Sequence, residues 1–193
     1  MGNNTAVSAK RKTLTALVLT SLFAALIAAG TFISIPLPFS PVPIVLQNLF
    51  AVLAGLILGP IFGGAAVALY LTAGVLGAPV FAGAAGGIAH FAGPTGGFLF
   101  GYLLAGFTAG LIAGRPRCGV QTPLWKIIAA SAAGFLIIYV SGVIRLKYAI
   151  NKDWAAALTA GVLPFIIGDA VKGVIAVVIT RRLRRAAAAA LEE

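Results

Sequence analysis

The chain has 193 residues, of which 61% are hydrophobic and 9% are charged, and its mean hydropathy is +1.07. Average soluble domains are about 45–50% apolar and about 25% charged, so this composition excludes a soluble globular protein. The formal net charge of +10 indicates membrane topology rather than nucleic-acid binding, because the basic residues lie at the ends of long apolar runs.

The apolar runs predict an all-α integral membrane protein with six transmembrane helices. At about 20 residues per crossing, the length leaves no room for a soluble domain. The predicted spans, in chain order, are residues 14–35, 44–58, 60–76, 98–113, 125–146 and 165–180. Residues 1–185 are expected to form a single membrane domain. The tail, residues 186–193, resembles the remnant of an expression tag and is left out of the predicted fold.

Three connections have distinctive compositions. Residues 36–43 hold four prolines, which excludes a helix and favours an extended path. Gly59 and Pro60 predict a tight turn between the second and third spans. The second span is short, so we expect it to begin in the preceding loop or to pack deep in the bundle. Residues 77–97 are glycine-rich and predict a loop of closely packed backbone.

The distribution of basic residues predicts that both termini are cytoplasmic. With six spans, ten basic residues then face the cytoplasm and three face outward, as the positive-inside rule requires. The inner set is Lys10, Arg11, Lys12, Arg115, Arg117, Lys126, Arg181, Arg182, Arg184 and Arg185, and the outer set is Arg145, Lys147 and Lys152. The proline loop and the glycine-rich loop would then both lie on the outer face.

Two charged residues interrupt the last apolar run. Each charge in the middle of a transmembrane helix costs about 2.5–3.5 kcal/mol, so Asp169 and Lys172 are not expected to face lipid. Their i,i+3 spacing puts them on one helix face. Counted back from Arg181, they lie about 18 and 13 Å above the inner boundary. They form either an internal ion pair or, in the interpretation we favour, a substrate site reached from outside.

Two isolated polar residues are further candidates for the same pocket. Gln47 lies at the mouth of the second span and Tyr139 lies inside the fifth, and each is a hydrogen-bonding group in an otherwise apolar run. An interfacial amide and a buried tyrosine with a bonded hydroxyl are equal alternatives for them.

The first span carries two neighbouring ridges of small residues at spacing four. One ridge is Ala16, Thr20, Ala24 and Ala28, and the other is Ser21, Ala25 and Ala29. Small residues let another helix approach closely, so these ridges serve either internal packing or a partner interface. The fourth span repeats the pattern with glycines, where we expect internal packing.

The sequence lacks the motifs of nucleotide hydrolysis and of metal binding. It has no G-x-x-x-x-G-K-[ST] segment, which excludes nucleotide hydrolysis by a phosphate loop in this chain. A single cysteine, Cys118, excludes a multi-cysteine metal site. No second histidine or cysteine lies near His90, so it is expected to be solvated or bonded to backbone. We therefore expect no cofactor and no enzymatic activity, and uphill transport would need energy from another protein.

Four segments carry a family resemblance. They are PVPIVLQNLFAVLAGLILGP, GAPVFAGAAGGIAHFAGPTGGFLFGY, IIYVSGVIRL and LPFIIGDAVKG. They resemble the signature regions of BioY, the biotin-binding S components of energy-coupling factor (ECF) vitamin transporters, over residues 10–185. The resemblance implies six helices, an outward-facing biotin site, and biotin uptake across the bacterial cytoplasmic membrane. The implied partners are a transmembrane T component and two cytoplasmic ATPases that hydrolyse the ATP.

The resemblance also implies the residues of the site. In that family the Asp and Lys of the last signature line the biotin site, and here they are Asp169 and Lys172. The other substrate contacts that we expect are Gln47, Tyr139, Gly86 and Gly87. The expected interface with the T component is Ala24, Ala28, Ser21, Ala25 and Ala29. We further expect residues 36–43 and the glycine-rich loop to act together as an outer lid.

The sequence leaves other functions open. Within the same class, the ligand could be another small carboxylated vitamin. From different classes, the chain could be an intramembrane enzyme that uses Asp169 as an acid or base, or a structural scaffold that associates through its first span.

Overall fold

The structure is a computed structural model that describes residues 2–192, with side chains described for residues 10–191. Within this range the chain forms eight helices and one β-hairpin. In chain order they are α1 (Gly2–Ala29), β1 (Ser34–Leu37), β2 (Ser40–Val45), α2 (Gln47–Leu58), α3 (Pro60–Val75), α4 (Ile88–Phe91), α5 (Gly96–Ala113), α6 (Leu124–Ile150), α7 (Trp154–Gly161) and α8 (Ile166–Glu192).

The helices match the predicted membrane class. Helices α5 and α6 and residues Lys10–Ala29 of α1 are long and apolar enough to cross a membrane. Helices α7 and α8 form a fourth candidate span that is bent by 52° at its break. Helices α2 and α3 are apolar but shorter. With α7 and α8 taken as one broken span, these helices correspond in order to the six predicted spans.

The short helix α2 lies at the centre of the bundle. Eleven of its twelve residues are buried, and it packs against α1, α3, α5, α6 and α8. Twelve residues make about 18 Å of helix, which is less than the hydrocarbon thickness of about 30 Å. Enclosure by the other helices keeps the ends of α2 away from lipid, where unpaired backbone groups would be costly. The prediction that the second span packs deep in the bundle is confirmed.

Glycines set the spacing between α2, α3 and α5. A Cβ atom on Gly55 of α2 would collide with the backbone of Gly106 on α5. A Cβ atom on Gly63 of α3 would lie 2.5 Å from the Cα atom of Gly55. Only glycine allows backbones to approach this closely, so the small residues of the fourth span serve internal packing, as expected.

The proline-rich segment is extended, as predicted, and forms the tip of a hairpin that was not predicted. Strands β1 and β2 are antiparallel, and their paired residues are Ser34 with Val45, Ile35 with Ile44, and Leu37 with Ser40. None of these residues is proline. Since proline has no backbone N–H to donate, the four prolines are compatible with the hairpin because they lie outside these pairs.

The predicted turn between the second and third spans is confirmed. Helix α2 ends at Leu58 and α3 begins at Pro60, a residue suited to the first position of a helix. Gly59 between them has a φ of +82°, which favours glycine.

The last span differs from its prediction at its C-terminal end. Pro164 lies in the break between α7 and α8, so α8 begins within one residue of the predicted Phe165. We expected the span to end at Thr180, but α8 continues to Glu192. Arginine and alanine are good helix formers, and nothing in the tail stops a helix. Ala187 and Ala188 are buried. The assignment of residues 186–193 to a tag stays a prediction.

Candidate functional site

A buried ion pair joins the two charged residues of the last span. The Nζ atom of Lys172 lies 2.7 Å from Oδ1 of Asp169, and both residues are only 6% exposed. Asp169 lies in the first turn of α8, where the positive end of the helix dipole stabilises a carboxylate. The helix break at Pro164 therefore places the acid at a helix N-terminus inside the bundle.

Asn48 completes this pair and was missed by the sequence analysis. Its Nδ2 atom donates to Oδ1 of Asp169 at 2.9 Å, and its Oδ1 atom accepts from Lys172 at 3.1 Å. Lys172 also donates to the carbonyl oxygen of Val45 at 2.8 Å. The available signal was the position of Asn48 beside Gln47, as a second amide at the start of an apolar helix.

Tyr139 reaches the same carboxylate from α6. Its hydroxyl donates to Oδ2 of Asp169 at 2.6 Å. Asp169 therefore accepts from an ammonium group, an amide and a phenol, while Lys172 uses three acceptors, the full number for an ammonium group. We name Asp169, Lys172, Asn48 and Tyr139 the charge network. Its hydrogen bonds satisfy both buried charges, as a buried ion pair requires.

Gln47 belongs to a separate polar cluster. The two N–H donors of its Nε2 atom are shared among three acceptors: the hydroxyl of Tyr70 at 2.7 Å, the carbonyl oxygen of Val80 at 2.9 Å and the hydroxyl of Thr31. Consecutive residues point about 100° apart around a helix, so Gln47 and Asn48 face different neighbours. Gln47 thus ties α2 to the end of α1, to α3 and to the glycine-rich loop, and is not hydrogen-bonded to the charge network.

A small cavity lies beneath the hairpin and the glycine-rich loop. Its volume is about 20 Å³, enough for little more than one water molecule. It is lined by Val42, Pro43 and Val45 of the hairpin, by Ala82, His90 and Thr95 of residues 77–97, and by Gln47, Phe98, Leu99 and Tyr102 of the helices. The two loops predicted to form a lid therefore meet over one cavity, and Val45 connects it to the charge network.

The two predicted glycine contacts lie within the glycine-rich loop. The backbone N–H of Gly87 donates to the carbonyl oxygen of Gly74 at 2.7 Å, and Gly87 has a φ of +88°. Gly86 packs against the backbone of Ala78, leaving no room for a Cβ atom. Both residues shape the loop, and neither has a hydrogen bond to the charge network.

An aromatic cluster anchors this loop. The ring of Phe81 is fully buried, lies edge-on to Tyr70 at 5.8 Å between centroids, and stacks on the His90 ring at 5.5 Å. The Nε2 atom of His90 lies 3.3 Å from the hydroxyl of Thr95. Burial lowers the pKa of His90 below its usual value, which favours the neutral ring at pH 7. Among the described residues, no group of three or more His, Cys, Asp or Glu side chains could hold a metal ion.

The two ridges of α1 face different surroundings. Ala24 is buried and Ala28 is half-buried, so their ridge packs against the bundle. Ser21, Ala25 and Ala29 are exposed. Of the five predicted interface residues, these three form the accessible ridge.

Comparisons with known proteins agree with this architecture. The model of the BioY family matches residues 3–189. The biotin transporter BioY of Thermotoga maritima is 40% identical over 169 residues, which cover 88% of this chain and 95% of that protein. A probable biotin transporter BioY of Pyrococcus horikoshii is 43% identical over 166 residues, which cover 86% and 94%.

A solved structure is similar over almost the whole chain. It is the crystal structure at 2.1 Å of the S-component for biotin from an ECF-type ABC transporter, with a TM-score of 0.81 and 32% sequence identity. The match covers 96% of this chain and 95% of that chain. From the family model, the two relatives and this structural match, we conclude that the chain belongs to the BioY family.

Proposed function

We propose that this protein is the S component of an ECF-type importer, which captures biotin for uptake across the cytoplasmic membrane. The observation that carries the proposal is the charge network, a fully bonded set of polar groups beside a cavity enclosed by two loops. The relatives named above are biotin transporters, and the similar solved chain is an S-component for biotin.

The chemistry of biotin is complementary to this site. Its ureido ring offers two N–H donors and a carbonyl acceptor, and its valerate chain ends in a carboxylate. Asp169 supplies acceptor oxygens, while Lys172, Asn48 and Tyr139 supply donors. A few convergent polar groups in an apolar setting are typical of small-molecule sites. We propose that these four residues contact the ligand by exchanging some of their present hydrogen bonds, with Gln47, Gly86 and Gly87 shaping the loop side of the site.

The size of the cavity implies that the loops move. Small-molecule sites have volumes of about 300–1,000 Å³, whereas this cavity measures about 20 Å³. The hairpin and the glycine-rich loop must therefore separate from their present positions to admit biotin. This requirement supports the proposal that the two loops act as a lid.

The energy for uptake is proposed to come from partner subunits. The sequence carries no phosphate loop, so ATP hydrolysis falls to two cytoplasmic ATPases, coupled through a transmembrane T component. The exposed ridge Ser21, Ala25 and Ala29 on α1 offers a surface where a helix of the T component can approach closely.

The test is equilibrium binding of labelled biotin to the detergent-solubilised protein, together with mass spectrometry for co-purified biotin. We expect tight binding that Asp169→Asn and Lys172→Ala both weaken strongly. Unchanged affinity in both variants would remove the proposed site. Competition by thiamine, riboflavin or lipoate at equal concentration would instead assign another vitamin, and recovery of chemically altered biotin would indicate an enzyme.

A further inference from the structure

A second cavity, of about 230 Å³, lies at the opposite end of the bundle from the charge network. Four arginines line it: Arg117, Arg181, Arg184 and Arg185. The other polar side chains in its lining are neutral, and they are Gln121, Thr122 and Thr180. Among the residues that the structure describes, no acidic side chain lines it. The positive-inside rule assigns this end to the cytoplasmic face.

Arg184 has a structural role in this cavity. It is 6% exposed and donates to the carbonyl oxygens of Ala113 at 2.8 Å and Gly114 at 2.6 Å, and also to that of Leu56. It also donates to the hydroxyl of Thr122 at 2.9 Å. Arg184 thus binds the C-terminal ends of α2 and α5, where carbonyl oxygens lack partners within the helix. Its positive charge has no carboxylate partner among the described residues.

Three arginines and one hydroxyl of the cavity are available to a ligand. The side chains of Arg117, Arg181 and Arg185 are exposed, and none makes a hydrogen bond or ion pair with another described residue. Thr180 is fully buried, and its hydroxyl is the one buried side-chain polar atom of the described residues without a hydrogen-bond partner. An unsatisfied buried hydroxyl costs about 1–3 kcal/mol, so a hydrogen-bonding partner from outside the chain would stabilise it.

An apolar groove continues from this cavity along the lipid-facing side of the bundle. It lies between α6 and α8, has a volume of about 620 Å³, and shares Leu124 and Arg181 with the arginine cavity. It extends as far as Tyr139 and Asp169. Asp169 and Arg181 lie about 18 Å apart along the helix, somewhat more than half of a hydrocarbon core of about 30 Å.

We propose that the arginine cavity and the groove together bind one anionic phospholipid. Its phosphate lies among Arg117, Arg181 and Arg185 and accepts a hydrogen bond from Thr180, while an acyl chain lies in the groove. Guanidinium groups match the oxygens of a phosphate, and basic pockets between transmembrane helices on the cytoplasmic side suit anionic headgroups. The adjoining groove favours a lipid over free phosphate, because free phosphate has no apolar part to bury.

The experiment is a titration of the delipidated, detergent-solubilised full chain with phosphatidylglycerol or phosphatidylcholine, read by native mass spectrometry. We expect phosphatidylglycerol to bind at least tenfold more tightly. Arg181→Gln should weaken its binding about tenfold, whereas Arg182→Gln, an equal charge change at an exposed neighbour outside the cavity, should change it less than twofold. Equal losses in both variants would overturn the site, because they would indicate only a diffuse surface potential.

Two further variants separate the headgroup from the chain. Thr180→Val keeps the shape of the side chain, so it should leave the unfolding temperature unchanged or higher while weakening phosphatidylglycerol binding. Ala132→Phe fills the groove and should also weaken phosphatidylglycerol binding. Ala129→Phe adds the same bulk at an exposed position of α6 outside the groove and should leave that binding unchanged. Full competition by glycerol phosphate would overturn the lipid assignment. The lipid assignment would also be overturned if Arg181→Gln lost T component binding but kept lipid binding, since the cavity would then be a contact with the T component.

Discussion

The hydroxyl of Tyr139 on α6 donates a 2.6 Å hydrogen bond to the Asp169 carboxylate on α8, and so joins two helices at a buried charge. Tyr139→Phe removes this donor without changing the ring. We expect a loss of about 1–3 kcal/mol in stability, together with weaker biotin binding, measured by thermal unfolding and equilibrium binding. Tyr148→Phe makes the same chemical change at an exposed position, and an equal effect there would contradict the assigned role.

The ion pair allows stability to be separated from binding. Asp169→Asn or Lys172→Met alone leaves one buried charge unpaired, which costs about 3–5 kcal/mol. The double variant removes both charges and should unfold at a higher temperature than either single variant. Biotin binding should nevertheless be lost in all three. A double variant that binds biotin as tightly as the wild type would show that the pair has only a structural role.

A cross-link between the two loops tests the lid. Pro43 of the hairpin and Ala82 of the glycine-rich loop line the same small cavity. In a Cys118→Ser background, Pro43→Cys and Ala82→Cys joined by a short bifunctional reagent should slow both the entry and the release of biotin. The measurement is the exchange rate of labelled biotin before and after cross-linking. Each single-cysteine variant treated with the reagent is the control, and an unaltered exchange rate would refute the lid.

The exposed ridge of α1 is tested by adding bulk. Ala25→Leu should prevent close approach of a partner helix and so reduce co-purification of the T component, while biotin binding by the isolated chain stays the same. Ala129→Leu adds the same bulk at an exposed position of α6. A comparable loss of T component binding in Ala129→Leu would place the interface elsewhere.

Acidification should loosen the glycine-rich loop through His90. Burial lowers the pKa of His90 below its usual value of about 6.5. The unfolded state therefore binds more protons than the folded state as the pH falls through this value, and stability decreases in that direction. Hydrogen exchange of residues 77–97 should be faster at pH 5.5 than at pH 7.5. His90→Gln should remove most of that difference, and an unchanged pH dependence would exclude His90 as its source.

The membrane class and much of the site could be predicted from the sequence, because a charged residue in an apolar span is tolerated only where it faces the protein interior. The cost of burying Asp169 and Lys172 in lipid required them to face inward, and they do. Asn48 was missed because an amide at a helix start is ordinary when taken alone. Its role depends on the orientation of α8 against α2, which no local pattern encodes.

Tertiary packing also decided the roles of other candidates. Gln47 was grouped with Asp169 from its polarity, but it faces Tyr70 and Val80 because the first turn of α2 directs neighbouring side chains to different helices. Ala24 and Ala25 are adjacent and chemically identical, and only the position of α1 in the bundle makes one buried and the other exposed. Two of the three residue pairs in the hairpin, Ser34 with Val45 and Ile35 with Ile44, likewise lie outside the proline-rich segment.

The central helix α2 connects the outer end of the bundle to its cytoplasmic end. Its first turn holds the glycine-rich loop through Gln47 and the charge network through Asn48. In its last turn, Leu56 accepts a hydrogen bond from Arg184. A buried helix of twelve residues moves as a unit because its contacts are close-packed on every side. A displacement of its outer end when biotin enters would therefore reach Arg184 at the inner face.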